Sequence, residues 1–162
     1  MATLTADRAK ATFPVFKGDG AGDLCAAYGS YTWASALSTD TVQLCRLPAG
    51  AVVLGGWIMG DDLDTGTEAL DFDIGWAANG VEVANPDGFG NFGVVTGDAF
   101  SAGNLSMSAG INYWLPAVTG SVLADTGPQA FTNETIITMT INAAANAGGT
   151  GTISIVLLYV VP

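Results

Sequence analysis

Alternation of apolar and polar positions is the dominant pattern along this chain. Residues 134–141 interleave Thr135, Thr138 and Thr140 with Ile136, Ile137, Met139 and Ile141, the period of two that marks a half-buried strand. Leu70, Phe72 and Ile74 alternate with Asp71 and Asp73 in the same way, which predicts one apolar face and one charged, wet face. Two further apolar runs, 41–47 and 51–59, are separated by Pro48-Ala49-Gly50, and an acidic turn over 60–68 leads into the strand at 69–76. These three runs, centred on the stretch from Leu44 to Trp76, read as an antiparallel meander.

Other strand candidates follow at 111–115, ended by Pro116, at 130–131 and at 152–161. The run at 134–141 and the final run are expected to form a long hairpin, adjacent in one sheet. Between them and the meander lies an excursion over 81–110, rich in Gly and Asn, which Phe89, Phe92 and Phe100 should anchor. A short helical turn is expected near 98–105. Upstream, residues 1–35 read as an arm and loop with an edge strand at 13–16, where Pro14 is tolerated. Tyr28, Tyr31 and Trp33 line either the inner face of a strand or a contact surface, and the inner face is preferred. The expectation is an all-β chain: a β-sandwich or jelly roll of about eight antiparallel strands, with long loops and an extended N-terminal arm. Residues 1–35 form the arm and loop, and 36–162 the sandwich domain.

Composition sharpens this in two respects. Of the 162 residues, 49% are hydrophobic and only 12% charged, so a large core must be wrapped in a mostly neutral surface. The net charge is −11, and three of the four cations, Arg8, Lys10 and Lys17, fall at the N-terminus, leaving Arg46 alone in the body. Such a body repels polyanions, which argues against nucleic acid as a partner. The final apolar run is too short for a membrane helix, so no membrane partner is expected. No secretory leader is legible at the N-terminus; Cys25 and Cys45 allow one disulfide, but buried, reduced thiols in a protein made in the cytoplasm are the preferred reading.

Candidate chemistry is sparse. The chain has no His, the commonest general base and transition-metal ligand. Asp64-Thr65-Gly66 and Asp125-Thr126-Gly127 resemble the paired triplets of aspartic proteases, yet the same triplet is an ordinary β-turn, and that reading is preferred. Asp61, Asp62, Asp64 and Glu68 are oxygen ligands suited to Ca²⁺, but their spacing does not fit a helical-hand loop, and a solvated acidic turn explains them. Cys25 and Cys45 lack a base to activate them. No cofactor and no catalytic activity are expected.

One stretch carries a family resemblance. Val42-Gln43-Leu44-Cys45-Arg46-Leu47-Pro48-Ala49-Gly50-Ala51-Val52-Val53-Leu54, continued by Asp62-Leu63-Asp64-Thr65-Gly66-Thr67 and by Leu70 to Gly75, resembles a segment of the head decoration, or cement, proteins of tailed bacteriophages. The likeness covers residues 39–76. It implies a β-sandwich or jelly-roll homotrimer that binds the major capsid protein lattice on the outside of the virion, after synthesis in the host cytoplasm. Arg8, Lys10, Phe13, Phe16 and Lys17 are then the expected capsid contacts, ordering on the lattice. Trp57, Tyr113 and Trp114 are the expected contacts between copies. The alternatives are a tail or fibre component of the virion and a carbohydrate-binding module, in which surface Trp and Tyr would form a stacking platform.

Overall fold

In the computed structural model the described residues are 2–15, 18, 20, 22–33, 40–61, 63, 69–94, 111–118, 120–145 and 151–162. They form ten strands: β1 (Thr3–Thr5), β2 (Cys25–Trp33), β3 (Thr41–Leu47), β4 (Val52–Gly60), β5 (Asp71–Trp76), β6 (Asn85–Val94), β7 (Ile111–Trp114), β8 (Gln129–Ala130), β9 (Thr135–Ala143) and β10 (Gly151–Val160). One sheet has the order β1-β3-β9-β5-β6, the other β2-β10-β4-β7, with β8 on the side of β4. We call them the first and second sheets. A four-residue helix, α1 (Val122–Asp125), is capped by the Ser121 hydroxyl, which accepts from the Leu123 N–H.

The pairing is nested. Setting aside the short β1 and β8, the eight long strands pair first with last: β2 with β10, β3 with β9, β4 with β7, and β5 with β6, every pair antiparallel. A single long hairpin rolled into two sheets gives this order, which is the jelly roll. Only β1 breaks the rule among the described residues, lying parallel to β3 at the edge of the first sheet.

Three strand expectations are corrected by this topology. The runs 41–47, 51–59 and 69–76 are β3, β4 and β5, but consecutive members cross between the sheets and are not hydrogen-bonded neighbours. The final two runs, β9 and β10, also lie in opposite sheets rather than forming one hairpin. Alternation fixes which side chains point inward but not which strand supplies the hydrogen bonds. The edge strand expected at 13–16 is absent from the described part of that stretch; the N-terminal strand is Thr3–Thr5 instead, and Cys25–Trp33 contributes β2 to the second sheet. The helical turn expected near 98–105 lies outside the described residues.

The inward faces meet in one core. Val42, Leu44, Phe72, Ile74, Ile137, Met139, Ile155 and Leu157 are fully buried. Phe72 stacks on Phe92 at 5.0 Å, and Trp76 meets Phe89 and Phe131 edge-on at 5.2 and 5.1 Å. The expected burial of the excursion's aromatics therefore holds at Phe89 and Phe92, both in β6. At one margin of the sandwich the sheets close together: a Cβ on Gly29 of β2 would lie 1.9 Å from the Leu44 carbonyl oxygen of β3, so only glycine fits.

Candidate interaction surfaces

The N-terminal segment is folded onto the seam between β2 and β3. Residues Asp7–Ala9 make one 3₁₀ turn. The Arg8 guanidinium lies 3.5 Å from the centre of the Tyr28 ring and 4.6 Å from that of Phe13, two cation–π contacts, and it donates to the Tyr28 hydroxyl. Arg46 fastens the same segment from below. Its Nη1 donates to the carbonyl oxygens of Lys10 and Phe13 at 3.1 and 3.3 Å, while Nε and Nη2 reach Glu134. Lys10 pairs with Asp7 at 2.5 Å on the exposed surface. Among the described residues no carboxylate pairs with Arg8. A small cleft opens beside it, walled by Phe13, Pro14, Ala26, Tyr28 and Tyr159.

Of the residues read as lattice contacts, Arg8, Lys10 and Phe13 thus come together on this seam, while Phe16 and Lys17 lie outside the described residues. The preferred inner-face reading holds at Trp33, which is buried, but not at Tyr28, which is 48% exposed on the outer face of the second sheet, the place of a contact surface. The β2 alternation puts Tyr28 in the outward set with Ala26 and Ser30.

That outer face carries the second cluster. Tyr28 is the cross-strand partner of Val156, Val156 of Trp57, and Trp57 of Trp114. The four side chains make a lateral row over β2, β10, β4 and β7. Trp57 and Trp114 touch at 4.5 Å between ring centres, each 37% exposed. Gly55 makes room for this, because a Cβ there would lie 2.3 Å from the Trp114 ring. Tyr113, expected beside them, is paired with inward-facing Ile58, is half-buried and packs against the core. It does not belong to the exposed face. Val156 escaped sequence reasoning because Ile155, Val156, Leu157 and Leu158 form an unbroken apolar run that reads as a wholly buried strand. Arg46 escaped because its partners are backbone carbonyls far away in sequence.

The first sheet presents a different surface. Thr3, Thr41, Thr140, Asp73 and Asn91 are successive cross-strand partners across all five strands. Asp73, expected on a wet face, is buried at 8% exposure, with Oδ2 accepting from Asn142 at 2.9 Å and Oδ1 without a partner. Burial, partly opposed by that hydrogen bond, pushes its carboxyl above the usual range, and the nearby charges of Asp71 and Asp87 add to the rise. Glu82 behaves oppositely. It accepts the Thr132 N–H at 2.9 Å and also the Asn79 amide, which hold its carboxyl down to about 2.

The remaining candidates show no assembled chemistry. Asp61 accepts the Thr152 N–H at 2.8 Å, and Asp62, Asp64 and Glu68 lie outside the described residues. Among the described residues no three acidic or thiol side chains converge as a metal-binding group. Asp125 is exposed at the end of α1. Cys25 and Cys45 are buried free thiols, and burial pushes Cys45 up to about 12.

No family model and no curated protein matches the chain. Solved structures do. A chain of the capsid of Ralstonia phage GP4 superimposes with a TM-score of 0.71 and 21% identity, covering 99% of this chain and 98% of that one. The fold is one that phage capsids contain. A chain of the cyanophage Pam1 capsid gives a TM-score of 0.62 at 22% identity, over 94% of this chain and 95% of that one. A chain of the acid-stable capsid of Helicobacter pylori bacteriophage KHP30 gives 0.53 at 12% identity, over 88% and 92%.

Proposed function

We propose that this chain is a structural protein of a phage head: a decoration, or cement, protein that binds the outside of the major capsid protein lattice and strengthens it without catalysis. The observation that carries this reading is the two-way coverage of the Ralstonia phage GP4 match, 99% of this chain and 98% of that one. The jelly roll is therefore similar to a capsid chain over nearly the whole of both. The physics supports it. A cement protein needs a rigid body, an adhesive face and solubility at high copy number; a net charge of −11 opposes premature, uncontrolled association. In this reading the protein is made in the host cytoplasm, assembles as a homotrimer and sits on the virion exterior.

The test is co-sedimentation of purified protein with phage heads that lack it. Saturation at a fixed number of copies per shell, with shells that then survive heating better, is the expected result. Absence of saturable binding would remove the decoration role.

A further inference from the structure

We propose that the outer face of the second sheet, from Arg8 through Tyr28, Val156 and Trp57 to Trp114, is the face that seats on the shell, and that its partner there is a shell-protein surface presenting a carboxylate opposite Arg8 beside an apolar ridge. This rests on the decoration reading and names the surface that performs it.

Three observations carry it. The first is placement. The row Tyr28, Val156, Trp57, Trp114 spans three inter-strand steps, roughly 14 Å at the usual strand spacing, and Arg8 extends it at the β2 end by lying on Tyr28. Arg, Tyr and Trp are the residue types that dominate binding energy at protein interfaces.

The second is charge. The chain has 15 acidic residues, yet the strands of the second sheet contain none, and no base either. The strand part of the face can be desolvated without stripping water from a carboxylate of its own; Asp7, beside Arg8, is exposed and paired with Lys10.

The third is Arg8 itself. It lies against two aromatic rings and has no ion-pair partner among the described residues. Four of its five N–H groups remain for a planar acceptor, and a carboxylate fits such a fork. Arg46 keeps the cage in place by holding the Phe13 carbonyl, so the arm is ordered before contact.

Charge also selects the partner. If two copies packed this face against itself, as a two-fold dimer requires, each Arg8 would be buried against strands that offer no carboxylate. An uncompensated buried charge is strongly unfavourable. Face-to-face pairing of copies is thereby disfavoured, so the complement is a different, acidic surface: in this reading the shell lattice, with a head-to-tail contact inside the trimer as the alternative that sedimentation velocity tests.

The test measures binding of Arg8→Glu, Arg8→Lys, Trp57→Ser and Asp71→Asn to heads lacking the protein, with thermal melts to confirm that each variant is folded. Arg8→Glu and Trp57→Ser should each weaken binding about tenfold or more, and Arg8→Lys several-fold because it keeps the charge but loses the fork. Asp71→Asn, on the other sheet, should bind as wild type does, and wild-type affinity should fall as salt rises. If wild type saturates the shell and the Arg8 and Trp57 variants match it, this face is not the seat, although the decoration role stands. If those variants instead fall apart into smaller species in sedimentation velocity while shell occupancy is kept, the face joins copies and the inference is overturned. Failure of wild type to bind overturns both readings.

Discussion

The two outer faces of this sandwich share one core and differ in almost everything else. The first sheet shows a polar ladder of Thr3, Thr41, Thr140, Asp73 and Asn91, and every charged strand residue, Arg46, Asp71, Asp73 and Asp87, belongs to it. The second sheet is uncharged along all its strands and carries an aromatic row. A polar face and an uncharged aromatic one are set back to back, and only the second would gain from losing water. The seam where Arg46 fastens the N-terminal segment joins the two.

Both faces depend most on the core they share. Phe72→Ala empties a fully buried site against Phe92 and should cost about 4 kcal/mol. Urea unfolding followed by Trp fluorescence and by far-ultraviolet dichroism should show both sheets lost in one transition; two separated transitions would mean the sheets do not share a single core.

At the seam, Arg46→Ala removes two bonds to backbone carbonyls and the contact with Glu134. The expected loss is about 2 kcal/mol. Glu134→Ala should cost less than about 1 kcal/mol, because that carboxylate is half exposed. Equal costs for the two variants would show that the ion pair, not the carbonyl bonds, holds the arm.

A narrower probe touches the second face alone. Gly55→Ala places a methyl into the Trp114 ring and should cost about 1–2 kcal/mol by overpacking, with a shift in Trp emission as the indole is pushed outward. An unchanged spectrum would deny that Gly55 seats Trp114.

The smallest effects concern pH, and they have opposite signs. Asp73 has its folded pKa raised, so its ionised form destabilises the fold above that pKa and the penalty fades as pH falls through it. Asp73→Asn should therefore stabilise at pH 7 and gain nothing in acid. Glu82, held at about 2 against an ordinary 4.5, contributes stability above pH 4.5 that is lost as pH falls toward 2. Glu82→Gln should flatten that acid limb of a thermal-melt series while leaving the Asp73 effect intact. A variant series in which both limbs move together would mean that the sites are coupled across the first sheet.

Much of this molecule is legible in its residues one at a time. The alternation of Leu70, Phe72 and Ile74, and of Ile137, Met139 and Ile141, assigns the core face of β5 and β9, and all six side chains are buried. Pro116 stops β7 where expected. The acidic, His-free composition argues against polyanion partners. Pairing is not legible, because every strand offers the same backbone donors and acceptors and the pairings here link residues over a hundred positions apart, as Thr32 and Thr152 are. The period of two decides parity, inward or outward, and no more. Tertiary structure alone rolled the chain so that β3, β4 and β5 alternate between sheets. It buried Asp73 on a strand face that alternation marks as wet, and it turned Tyr28 outward beneath Arg8. Only the register of four strands drawn from opposite ends of the chain could set Tyr28, Val156, Trp57 and Trp114 in one line.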